Sequence, residues 1–291
     1  MTGPGLPSGA ELEWFLERAE VAMYRDAYDA IPPGLAAELG LEARLQGFEL
    51  RLTALGFDHP FFNRVMGVGL TRSPLESLTA AAEHFGRSGI RRWMLQVLPH
   101  ADTEEFRAAC TASGMVKLRG WAKHLGPATV QVPWRTNLRV ERIGRDRGAV
   151  WAEIVVAAFA MDQRFVPWFQ ELAGRDRWRL YLALDGETPV AAAALFLCGE
   201  EGVLPVGGSW VARLGQLNFA GTLESHRGRG AQSALVARRC ADARALGVDW
   251  IVTETDEELP DRPNPSLHTM VRLGFPEQYV RANWGPPKPS A

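Results

Sequence analysis

Only three cysteines, Cys110, Cys198 and Cys240, occur in 291 residues, and no two share the short spacing of a metal or redox motif. Neither a disulfide framework nor a zinc centre is therefore expected, and free thiols packed in a reducing compartment are. Six scattered histidines add no ligand pattern, so no metal is expected. The most apolar run, residues 189–198, is about half of the ~20 residues that a bilayer span requires. The first ten residues contain no basic segment leading into an apolar core, which excludes a recognisable signal peptide and makes a cytoplasmic location the expectation. An excess of one charge is also missing: 32 Lys and Arg face 34 Asp and Glu, for a formal charge of −2. That balance argues against a nucleic-acid binder. Arg142, Arg145 and Arg147 do cluster, but Glu141 and Asp146 interleave with them, as on a solvated face.

The hydrophobic share of 46% and charged share of 23% are those of a globular protein with a packed core. Apolar spacing predicts helices over residues 11–31 and 33–55, broken at Pro32 and Pro33. A strand at 62–70, a helix at 74–87, a strand at 92–98, a helix at 103–113 and a strand at 117–125 follow. Beyond Pro133 the order resumes: a strand at 138–143, helices at 148–159 and 164–173, and strands at 179–184 and 189–197 around the hairpin signal Asp185-Gly186. Another strand at 203–211 precedes a strand ending at 223. A helix to 246, a strand at 249–255, a short helix at 266–272 and a strand at 278–284 complete the chain. The two halves share their order at a near-constant offset, with Gly89, Trp93 and Gly114-Met115 falling where Gly247, Trp250 and Gly274-Phe275 fall. This suggests an internal duplication, with domains at 1–130 and 131–291.

The most informative stretch is the apolar run 217–223, followed by Arg227-Gly228-Arg229-Gly230-Ala231-Gln232 and an amphipathic segment. Glycine lets backbone approach a ligand closely. The first N–H groups of a helix have no internal partner and sit at the positive end of its dipole, so such a turn suits a diphosphate. It lacks the Lys-Ser/Thr of a P-loop and the third glycine of a dinucleotide fingerprint. The turn resembles the pyrophosphate loop of the GNAT superfamily of acyl-CoA-dependent acyltransferases, usually Arg/Gln-x-x-Gly-x-Gly/Ala, with Gln232 at a position normally small. The stretch from Asn264 through Leu273-Gly274-Phe275 is similar to that family's last helix. The resemblance implies an α/β (α+β) fold of two GNAT-like domains, each a mixed, mainly antiparallel twisted sheet flanked by helices. The first copy has Thr71-Arg72-Ser73-Pro74 in place of the glycine turn, so a degenerate half without cofactor is expected, in a tandem layout similar to that of mycothiol synthase.

The resemblance further implies that pantetheine runs along Ala220, Gly221 and Thr222, that the amide of Thr222 or Leu223 serves as oxyanion donor, and that residues 227–232 hold the diphosphate. The co-substrate implied is acetyl-CoA or another acyl-CoA. The partner expected is a small-molecule amine, without nucleic acid or membrane, in a monomer or homodimer. Glu254 and Glu224, at strand ends, are the candidate general bases; Gln216 and Asn218 could position an amine or a water, or be hydrogen-bonded core groups. Phe159, Phe165, Trp168 and Trp210 are candidates for the acceptor entrance. Met270 stands where many family members have the tyrosine that protonates the thiolate. Either the thiolate leaves unassisted or through water, or another group such as Tyr279 substitutes, or the protein binds acyl-CoA without catalysis.

Overall fold

The computed structural model describes residues 8–199, 203–206 and 210–288. The first expected helix forms as α1 (Ala10–Asp29), which buries Phe15, Leu16, Ala19 and Met23 along one face. The second expected helix is corrected: only α2 (Pro33–Leu39) is helical, and the rest is a hairpin of β1 (Leu41–Gln46) and β2 (Glu49–Ala54). The apolar residues alternate, Leu41, Ala43 and Leu45 against Leu50, Leu52 and Ala54, which is the period of a strand. Gly40 and Gly47, with φ of 59° and 62°, supply the left-handed turns that break the helix and reverse the chain.

The following elements match their expected positions closely: β3 (Arg64–Val68), α3 (Pro74–Arg87), β4 (Met94–Val97), α4 (Glu104–Ala112) and β5 (Val116–Pro127). Pro74 opens α3, where its missing N–H costs nothing. The Thr103 hydroxyl accepts from the Phe106 amide at 3.2 Å to cap α4. The second half contains β6 (Arg139–Ile143), α5 (Gly148–Ala158), α6 (Val166–Phe169), β7 (Trp178–Asp185), β8 (Thr188–Leu197), β9 (Val203–Val206) and β10 (Trp210–Thr222). It ends with α7 (Ala231–Ala245), β11 (Trp250–Asp256), α8 (Pro265–Arg272) and β12 (Glu277–Gly285). The helix expected at 164–173 is reduced to α6 between two tighter 3₁₀ turns.

Two compact units result, and they interleave along the chain. Among the described residues the amino-terminal unit takes 8–29, 33–122 and 279–288, and the carboxy-terminal unit takes 30–32 and 123–278. In the amino-terminal unit the strands run β1-β2-β3-β4-β12; β3 and β4 are parallel and the other pairs antiparallel. In the carboxy-terminal unit the order is β11-β10-β8-β7-β6, with β9 on β10; only β10 and β11 among these are parallel. Each unit therefore has the mixed, mainly antiparallel sheet that was expected. The carboxy-terminal core joins Leu195, Leu217, Leu235, Val236, Ile251 and Phe275.

A buried charge network pins β12 in the amino-terminal unit. The guanidinium of Arg281, wholly buried, pairs with both Glu17 and Glu20 of α1, and the Tyr279 hydroxyl donates to Glu17 Oε1 at 2.9 Å. Burial, and then the Glu17 charge, push the Tyr279 phenol well above its usual value, so it stays protonated.

Candidate functional site

The site begins with a fault in a strand. Between Asn218 and Gly221 the pairing of β10 with β8 slips, and Phe219 there adopts φ of 47°, a left-handed conformation rare for a bulky residue. An aromatic cluster holds it: the Phe219 ring lies 5.1 Å from Phe169, 5.9 Å from Trp178 and 6.3 Å from Trp151. Before this bulge β10 has already parted from its parallel neighbour. Their ladder covers only Leu214–Trp250, Gly215–Ile251 and Gln216–Val252, although β10 continues to Thr222 and β11 to Asp256. In the amino-terminal unit the corresponding parallel pair stays together as far as Val68 and Val97, and the Leu98 amide extends it to the Val68 carbonyl at 3.1 Å.

Where the two strands part, the glycine turn enters α7. Gly228 and Gly230 have φ of 76° and 83°, and Gly230 is the N-cap, so the first-turn amides of α7 receive no side-chain acceptor. A side chain at Gly230 would stand 2.4 Å from the Arg135 carbonyl, whereas one at Gly228 would meet open space. Uncapped amides at the positive end of a fifteen-residue helix form an anion site made from backbone. Beside them lies a cleft of about 560 Å³ between β10, the turn, α7 and α8.

Of the ten sequence-expected binding positions, Ala220, Gly221, Thr222, Arg227, Gly228, Gly230, Ala231 and Gln232 line this cleft. Two do not. Arg229 turns away, bonding Asp185 Oδ2 at 2.7 Å and Asn137 Oδ1 at 3.2 Å, which lowers the Asp185 carboxyl below its usual range. Leu223 is corrected as an oxyanion donor, because its amide donates to the Val190 carbonyl at 2.9 Å. Backbone direction alternates along an extended chain, so the Thr222 amide points to the opposite edge.

The two candidate bases are also outside the lining. Glu224 is exposed in the 3₁₀ turn after β10, and Glu254 on β11 lies 3.4 Å from the buried Lys123 ammonium. Gln216 is buried, its Nε2 3.6 Å from Cys198 Sγ and its Oε1 accepting from Asn218 at 3.5 Å. Phe159 lines the cleft as expected, but Phe165 and Trp168 are buried against each other in the core, and the side chain of Trp210 is outside the described residues. Met270 is buried in the core as well and has no proton to give a thiolate, and the Tyr279 hydroxyl donates to Glu17 within the amino-terminal unit.

Sequence reading missed one wall. Ser266, Thr269 and Arg272 line the cleft from α8, and their spacing of three marks a single helix face. His226 and Ser233 also contribute. Among the described residues, no group of three His, Cys, Asp or Glu side chains is placed to hold a metal, and no helix is long and apolar enough to cross a membrane.

His124 on β5 is fully buried, with Nδ1 donating to the Phe275 carbonyl at 3.1 Å and Nε2 3.0 Å from Thr255 Oγ1. Burial holds its pKa below the usual value, although the bond to Phe275 opposes this. The folded protein then resists a proton that the unfolded chain accepts near pH 6.5, so stability is retained above that pH and lost below it. Urea midpoints measured from pH 7.5 to 5 should fall on acidification, and His124→Gln should flatten the fall. Equal slopes in the two proteins would remove His124 from the effect.

No family model and no curated protein matches this chain. Among solved structures, it is similar to a GCN5-related N-acetyltransferase from Kribbella flavida at 16% identity, with a TM-score of 0.60, covering 94% of this chain and 96% of that one. It is similar to a GCN5-related N-acetyltransferase from Sphaerobacter thermophilus at 15% identity and a TM-score of 0.52, covering 81% and 79% of the two chains. A conserved protein of unknown function from Staphylococcus epidermidis matches at 8% identity and a TM-score of 0.54, covering 89% of this chain and all of that one. The chain thus has the fold of the GCN5-related N-acetyltransferases. At these identities the likeness concerns the fold.

Proposed function

We propose that the protein is an N-acyltransferase that moves an acyl group, acetyl by preference, from acyl-CoA to the amine of a small molecule by direct attack in a ternary complex. One observation carries this reading: the parted strands and the uncapped amides of α7 open onto the same cleft. Amides at 228–232 and Arg227 suit a diphosphate, and the free edge at 220–222 suits the amides of pantetheine. In the reaction the amine nitrogen attacks the thioester carbonyl, the C–N bond forms, the C–S bond breaks and CoA leaves as thiolate. The Thr222 amide is the candidate donor to the oxyanion. The nitrogen loses its proton to Glu254 or Glu224, directly or through water. The amino-terminal unit serves as a structural half in this reading, consistent with its parallel strands remaining paired.

Calorimetric titration with acetyl-CoA, followed by thiol release with a panel of small amines, tests the proposal. Replacing the base with glutamine should lower kcat by about 10²–10⁴ at unchanged acetyl-CoA affinity. Glu254→Gln and Glu224→Gln assayed side by side assign the role, and normal turnover in both would remove both carboxylates. The buried Met270 favours a second reading, a non-catalytic acyl-CoA sensor, for which binding would occur without turnover of any amine. Absence of acetyl-CoA binding would sink both readings.

A further inference from the structure

We infer that the amino-terminal unit carries a binding site for a single oxyanion the size of a phosphoryl group, formed by Arg44, Arg51 and Arg72 in a notch between the β1–β2 hairpin and α3. Nothing in the acyl-transfer reading uses this site, and the inference does not rest on that reading.

The first observation is register. Arg44 and Arg51 are direct cross-strand partners in the hairpin, and like charges placed opposite each other on one face of a ladder repel. Neither has an ion-pair partner among the described residues, and Arg51 Nε is buried without a hydrogen-bond partner. A buried N–H with no acceptor is costly, and an anion between the two guanidinium groups would resolve both penalties.

The second observation is shape. The notch encloses about 50 Å³, lined by Arg44, Arg51, Arg72, Gln46 and Glu49, with Ala80 and Ala81 of α3 as its floor. That is several times the ~10–15 Å³ that admits one water, and it suits one tetrahedral or planar oxyanion rather than a nucleotide. Arg72 is already positioned, with Nη1 3.3 Å from Gln46 Oε1 and 3.4 Å from Glu49 Oε1. Glu49 is itself fixed by the Ser77 hydroxyl. Its carboxylate pairs with Arg72 and also acts on Arg51, so within the lining one carboxylate faces three guanidinium groups and positive charge remains in excess. Burial lowers the Arg51 pKa; the Glu42 and Glu49 charges oppose this, and those of Arg44 and Arg87 press the same way as burial. His84, on the same face of the sheet through its 2.9 Å contact with Thr53, is lowered by burial and then by Arg51. His84 thus registers the positive charge of Arg51.

The test is the thermal midpoint of the full chain in inorganic phosphate against chloride of equal ionic strength. Phosphate should raise the midpoint by about 3 °C or more. Arg44→Gln should abolish this rise and, in chloride, should increase the midpoint because the facing repulsion is gone. A Gly230→Pro chain should keep the rise, which separates this notch from phosphate held at the glycine turn. Glycerol phosphate in place of inorganic phosphate identifies the source: a rise with both points to the phosphoryl end of a larger molecule, and a rise with inorganic phosphate alone points to the free ion. No rise with either, or an equal rise in wild type and Arg44→Gln, would overturn the inference.

Discussion

Gly230→Pro should lower acetyl-CoA affinity by at least about 100-fold in a calorimetric titration. Proline fixes φ near −65°, and this position has φ of 83° with the Arg135 carbonyl directly behind it. The turn must then reorganise, and the amides leading into α7 lose their common direction. Losing two charge-assisted hydrogen bonds at about 1.5 kcal/mol or more each gives ~3 kcal/mol, hence the hundredfold. Gly228→Ala is the informative comparison. Its new methyl meets open space, so the cost is the left-handed backbone alone, about 1 kcal/mol, and affinity should fall less than tenfold. If Gly230→Pro kept native affinity with a native thermal midpoint, the glycine turn would not be the diphosphate cradle.

Arg281→Met should destabilise the protein by about 3–5 kcal/mol in urea unfolding, the typical cost of leaving buried charges without their partner. Glu17 and Glu20 are both almost fully buried, and removing the guanidinium that pairs with both takes an ion-pair partner from two carboxylates rather than one. The sign of the rescue is the sharper result. Adding Glu17→Gln and Glu20→Gln to Arg281→Met should restore much of the loss, because a neutral set of similar volume avoids desolvating any charge. If the triple variant were no more stable than Arg281→Met, the effect would arise from packing of the long side chain rather than from its charge.

What could be read in advance follows from how local each signal is. The strand, glycine turn and helix at 217–246 are legible because an apolar strand, a turn with two glycines and a helix each write their requirement into adjacent residues. The β1–β2 hairpin was misread because over so short a span apolar residues at period two also satisfy much of a helical pattern, and Gly40 and Gly47 were the clue that separates them. The loop alone suggests Arg229 for the diphosphate. Its diversion depends on Asp185, in a hairpin turn 44 positions earlier. The destination of β12 had no local marker in Tyr279-Val280-Arg281. The partners of Arg281 are two glutamates three residues apart on the buried face of α1, and that pair of acids inside an apolar stripe was the available hint.

The interleaved layout of the amino-terminal unit has a consequence for how the protein is made. Residues 8–29 and 33–122 leave the ribosome well before the strand that pairs antiparallel with β4, which arrives only with residues 279–285. Synthesis of the intervening stretch at ~5–20 residues per second takes on the order of ten seconds. Throughout that interval Glu17 and Glu20 of α1 lack the Arg281 guanidinium that pairs with both. A chain cut before residue 279 can never supply it, so the unit begun by residues 8–29 and 33–122 is completed only once residue 281 has been made.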